Sequence, residues 1–214
     1  FYRLAQSELV SLVAPLQTRE DSLNCLAENS EKLNEVAYKN SFEFAESLKL
    51  YLKTYVNLYF DAHDLKFGDL TIKKQEIEDL YNKKYTNQTP AVRVSWIADY
   101  ILDKLDIKQN IEDVTQRVKK VIYSMFIKNN LEDIYADFLD RIGLKFEYKD
   151  DKIRYEDIAP ILYIKNYMLG LKKQNVKFLV IDEMQDYSPI HFELFNEIYE
   201  CPKTVLGDIN QWIE

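Results

Sequence analysis

Apolar residues recur at helical spacing through most of the first 140 positions. Leu4, Leu9, Val10 and Val13 predict a first helix ending near Pro15. Phe42, Phe44, Leu48, Leu52, Val56 and Phe60 predict a longer one over residues 41–62. Ser41 stands where a cap is needed, and Glu43 and Glu46 suit the positive end of the helix dipole. The pattern breaks over 63–72 around Gly68, where a short extended piece is expected. Further helices are predicted over 71–81 and, after Pro90, over 91–106. Residues 110–144 read as two helices, broken near Asn129-Asn130 and stopped at Gly143. Alternation on either side of Asp150-Asp151 suits a hairpin or a loop, and residues 157–173 predict another apolar helix.

The character then changes. Phe178-Leu-Val-Ile181 is a short apolar run, the pattern of a strand buried on both faces. Ser188-Pro189 opens a helix carrying Ile190, Phe192, Leu194, Phe195 and Ile198, with serine as cap and proline at the first position. Thr204-Val-Leu206 predicts a second buried strand. A strand, a helix and a strand of this length imply a parallel βαβ unit. The expected fold is mainly α with a small α/β part. Residues 1–150 are expected to be a largely helical region, and 151–214 a partial parallel-sheet core.

Composition narrows the options. The chain has 214 residues, only four glycines and five prolines, which favours helices over a sandwich or barrel. The net charge is −8 and there are six arginines, so the chain as a whole is poorly suited to grip a phosphate backbone. No run approaches the ~18 apolar residues that cross a bilayer. Cys25 and Cys201 form no zinc-type cluster, and two cysteines fit a reducing, cytosolic setting.

The candidate chemistry sits where strands end. Asp182-Glu183-Met184-Gln185-Asp186 follows the first strand directly. In open parallel sheets, ligands bind beyond the carboxyl ends of the strands. There one carboxylate can hold nucleotide-bound Mg²⁺ through water, and a neighbour can polarise the attacking water. An acidic pair after an apolar strand is also a common helix cap. The second strand adds weight: Gly207, Asp208 and Gln211 follow it, supplying a tight turn, a turn anchor and an amide for a phosphate oxygen.

Together these residues resemble a family. Val180-Ile-Asp-Glu-Met-Gln-Asp186 is similar to the Walker B motif, DExQD, of UvrD/Rep-type superfamily 1 helicases. Gly207-Asp-Ile-Asn-Gln211 looks like their next motif, GDxxQ. Ile181 to Ile190, Arg154-Tyr-Glu-Asp-Ile-Ala-Pro160 and, more loosely, Tyr38-Lys-Asn-Ser-Phe-Glu-Phe44 look closest to the HelD-like branch, whose bacterial members associate with RNA polymerase.

The resemblance implies a RecA-like P-loop NTPase core carrying a helical insertion, and an ATP-dependent helicase or translocase acting on DNA. It implies Asp182 as the Mg²⁺ ligand, Glu183 as activator of the hydrolytic water and Gln211 as γ-phosphate sensor. Gln185 and Asp186 would tie the site to neighbouring elements, with Gly207 and Asp208 shaping the nucleotide side. His63 and His191 gain no catalytic role from it. None of the four glycines begins a GxxxxGK[ST] loop, and a second motor domain would lie beyond Glu214. The chain is therefore expected to be a fragment that does not turn over ATP alone.

Two other readings stand beside this one. The aromatic-rich helical region, in a chain with 16 tyrosines, suits a non-catalytic module docking RNA polymerase or another protein, although aromatics also fill helix interfaces. Glu147-Tyr-Lys149 with Asp150, Asp151 and Asp182 resembles a bare nuclease element, a pattern frequent by chance in a charged chain. Lys119-Lys120 and Lys172-Lys173 offer local nucleic-acid contacts or, more simply, solvated helix faces.

Overall fold

A computed structural model describes residues 1–10, 12, 14–26, 30–106 and 110–208. Ten α-helices are described: α1 (Tyr2–Glu8), α2 (Arg19–Leu26), α3 (Ser30–Lys39), α4 (Phe42–Leu58), α5 (Lys74–Asp79), α6 (Pro90–Leu105), α7 (Ile111–Tyr123), α8 (Leu131–Arg141), α9 (Tyr155–Leu169) and α10 (Pro189–Ile198). Six short strands pair in twos: β1 (Leu65–Phe67) with β2 (Leu70–Ile72), β3 (Tyr148–Lys149) with β4 (Lys152–Ile153), and β5 (Leu179–Ile181) with β6 (Lys203–Val205). The protein is mostly helical, and no described helix is long and apolar enough to cross a membrane.

Local chemistry explains most boundaries. The Ser41 hydroxyl accepts the Phe44 N–H at 3.1 Å and starts α4. Asp150 and Asp151 both take positive φ, 51° and 58°, as the tight β3–β4 turn requires. Helix α1 stops at Glu8 rather than near Pro15, and Val13 lies outside the described residues. The helix expected over 71–81 begins later, because Thr71 and Ile72 pair in β2. It then continues as a π-turn over Leu80–Lys84. Arg93 holds that turn: its guanidinium lies 4.7 Å over the Tyr81 ring and donates to the carbonyls of Tyr81, Thr86 and Gln88.

The α/β part is small. β5 and β6 run parallel, with Val180 opposite Thr204, and α10 connects them. Neither strand is buried on both faces, contrary to expectation. Ile181 is buried, but Phe178 and Val180 are 52% and 55% exposed, and Val205 and Leu206 are exposed as well. Along β5 covered and exposed side chains alternate, so one face is open, whereas β6 has no buried residue.

The centre of the fold is α9. Every residue from Glu156 to Ile164 is buried, and the helix packs against α1, α3, α4, α6, α8 and α10. A helix buried all round is normally apolar all round. This one carries Glu156 and Asp157, and each has a cationic partner. Lys39 Nζ lies 2.7 Å from Asp157, with both side chains fully buried, and 2.8 Å from Glu35. Arg154 reaches Glu156 at 2.7 Å and Glu35 at 3.0 Å. The Tyr135 hydroxyl of α8 donates to the same Asp157 oxygen at 2.6 Å. Burial raises the Glu35 carboxyl, but Lys39 and Arg154 outweigh it and hold the group below its ordinary value. Burial, then Asp157, pushes the Tyr135 phenol well above its ordinary value.

Removing one partner of such a pair strands a charge in the core, which costs about 3–5 kcal/mol. Lys39→Met is therefore expected to destabilise the fold by that amount in urea unfolding. Lys39→Met combined with Asp157→Leu should recover much of the loss. A Lys39→Met midpoint equal to that of the unmodified chain would contradict the burial of this pair.

Candidate nucleotide-facing turn

The acidic motif forms one tight turn at the carboxyl end of β5. Asp182 and Glu183 are exposed, and Met184–Asp186 make a single 3₁₀ turn. Glu183 adopts the left-handed conformation, φ 52° and ψ 54°, which is unfavourable for a residue with a Cβ. Local bonds hold it there. Asp182 Oδ1 accepts the Glu183 N–H at 3.0 Å, Gln185 Nε2 donates to Glu183 Oε2 at 2.5 Å, and the Asp186 N–H donates to the Glu183 carbonyl at 2.9 Å. The motif thus bends sharply while leaving its first two carboxylates at the surface.

The second motif packs directly on the first. The Leu206 N–H donates to the Ile181 carbonyl at 2.8 Å, and the Met184 N–H donates to the Leu206 carbonyl at 2.9 Å. These bonds extend the parallel pairing past the ends of both strands. A Cβ on Gly207 would meet Met184 Cγ at 2.2 Å and Gln185 Oε1 at 3.0 Å. The clearance that glycine provides is taken up by Met184. Asp208 is exposed, and Gln211 lies outside the described residues.

Asp186 points elsewhere. Both its oxygens meet the Arg19 guanidinium of α2, each at 2.5 Å. That hydrogen bond is also the main cause of the upward shift of Arg19 from its ordinary value. Nothing in the sequence marks Arg19 as a partner, because 167 positions separate the two. The described residues contain no group of three or more His, Cys, Asp or Glu side chains able to hold a metal by themselves. A lone exposed carboxylate such as Asp182 is compatible with Mg²⁺ held mostly by water and phosphate oxygens.

The two histidines differ in setting. His63 is exposed, whereas His191 is packed, with its ring 4.3 Å from that of Phe1 and 5.5 Å from that of Tyr187. The Ser188 N–H donates to His191 Nδ1 at 3.2 Å, so the ring caps the start of α10. No protein-family model matches the chain, and no curated protein matches it either.

Burial pushes His191 down from 6.5 to about 3. A depressed imidazole pKa means that the unfolded state binds a proton the folded state refuses. Its contribution is full above pH 6.5 and is lost progressively as pH falls toward the folded value. Between pH 7 and pH 5 this amounts to about 2 kcal/mol. Denaturation midpoints should fall over that interval and fall less in His191→Gln, which keeps a capping side chain. Equal pH dependence in both chains would contradict the assignment.

Proposed function

We propose that residues 178–208 are the Mg-ATP-facing edge of a motor of the UvrD/Rep helicase type, HelD-like in its motifs, that acts on DNA in the complete parent protein. The observation that carries this reading is the interlock of the two motifs. Two turns that follow adjacent parallel strands are bonded to each other through Met184 and Leu206. Asp182, Glu183 and Asp208 thereby lie exposed at the strand ends, where open parallel sheets bind nucleotides.

In this reading Asp182 would hold Mg²⁺ and Glu183 would take a proton from the attacking water. Gln211 would sense the γ-phosphate. The ion supplies charge neutralisation at the phosphates when bound. The exposed apolar side chains of β5 and β6 are consistent with further helices of a RecA-like core covering this pair.

A second reading has its own support. Phe42, Leu50 and Leu58 of α4 are 77%, 67% and 66% exposed. A helical module docking RNA polymerase or another protein would use such a surface.

The test is kinetic. In the complete parent, Glu183→Gln is expected to lower kcat for ATP hydrolysis by about 10²–10⁴-fold, while nucleotide binding persists. The present chain alone should show no turnover. An unchanged kcat, or turnover by this chain that Glu183→Gln abolishes, would contradict the account.

A further inference from the structure

We propose that Arg19 is a positioning residue for the acidic turn, and that the strap carrying it makes the turn's geometry depend on the helical region. The use of that turn for nucleotide chemistry rests on the function proposed above; the positioning itself rests on geometry alone.

The backbone around Arg19 is pinned on both sides. Upstream, residues 15–17 run beside β4 like a short extra strand. The Ile153 N–H donates to the Pro15 carbonyl and the Gln17 N–H donates to the Ile153 carbonyl, both at 2.8 Å. Gln17 Oε1 then accepts the Tyr155 N–H, at the first turn of α9, at 3.1 Å. Downstream, the Asp21 N–H donates to Thr18 Oγ1 at 3.2 Å, and the Thr18 N–H donates to Asp21 Oδ2 at 3.4 Å. This reciprocal pair is a capping box, and it sets Arg19 as the first residue of α2.

From that fixed base the guanidinium takes Asp186 with two parallel bonds. A planar fork matched to a carboxylate restrains orientation as well as distance, which a lysine cannot do. Asp186 ends the 3₁₀ turn that keeps Glu183 in its left-handed conformation, and Met184 anchors the other end on Leu206. Arg19 therefore completes a two-ended clamp on the residue proposed to activate water. The strap attaches beside Arg154, whose partners Glu35 and Glu156 belong to the buried ion cluster. A change in the packing of α3 on α9 would reach the acidic turn by this route.

Amide hydrogen exchange of the full chain tests the clamp without any nucleotide. In Arg19→Ala, the Asp186 and Tyr187 amides should exchange roughly three- to fivefold faster, the scale of an exposed ion pair. The amides of Ile161 to Ile164 in α9 should not change. Arg19→Lys should restore protection only in part, and Arg19→Asp combined with Asp186→Arg should restore most of it. Unchanged exchange in Arg19→Ala, or no recovery in the reversed pair, overturns the proposal. In the complete parent, Arg19→Ala should lower kcat for ATP with little change in KM. If Glu183→Gln lowers kcat and Arg19→Ala does not, the positioning role is wrong. If neither lowers it while exchange responds, the clamp stands and the nucleotide reading fails.

Discussion

Asp157 carries a carboxylate into a stretch of helix that has no exposed residue. A helix so enclosed can hold an ionised group only if a cation is delivered to it in the same desolvated space. Lys39 does this from α3, with Tyr135 sharing the same oxygen from α8. Three helices are thereby placed relative to one another at a single point. Arg154 adds a second tie between α3 and the start of α9 through Glu35 and Glu156. Dispersion and apolar burial supply most of the stability.

The position of α9 matters beyond the core. Its N-terminal turn receives the strap at Gln17, and the strap leads into the helix that presents Arg19 to Asp186. Its far end leads through residues 170–178 into β5, which ends at the acidic turn. The turn is thus reached from α9 by two routes, one covalent and one through the strap. An exposed turn with few apolar contacts would ordinarily be among the looser parts of a fold. Here the Gly207–Met184 contact and the Arg19 fork restrain the turn at its two ends, Met184 and Asp186.

Some of this was legible in the sequence, and the reasons differ by residue. Ser41, Pro90 and Ser188 marked helix starts because capping is local chemistry. Alternation around Asp150-Asp151 allowed a hairpin or a loop, of which the structure has the hairpin, and the parallel β5–β6 pair followed from two apolar runs flanking a helix. The exposure of Phe178 and Val180 was hidden, because an apolar run looks the same whether one face or both are covered. The early end of α1 and the π-turn at Leu80–Lys84 were not marked by the apolar spacing. The ion cluster was hidden for a similar reason. No element was expected over Glu35 and Lys39, and the helix expected from residue 157 left Glu156 outside it; only packing brings these charges together. The acidic motif itself was legible, but Arg19 was not, since its partnership spans nearly the whole chain.

The claim at the centre of this account is that the two strand-end turns form one nucleotide-facing surface. Paramagnetic broadening by Mn²⁺ with ATP measures this directly, because it detects contacts too weak for conventional binding assays. Selective loss of the amide signals of Asp182, Glu183, Gly207 and Asp208 is expected, relieved by Asp182→Asn, with the β3–β4 hairpin unaffected. Broadening centred on Glu147, Asp150 and Asp151, or none at the two turns, would contradict it.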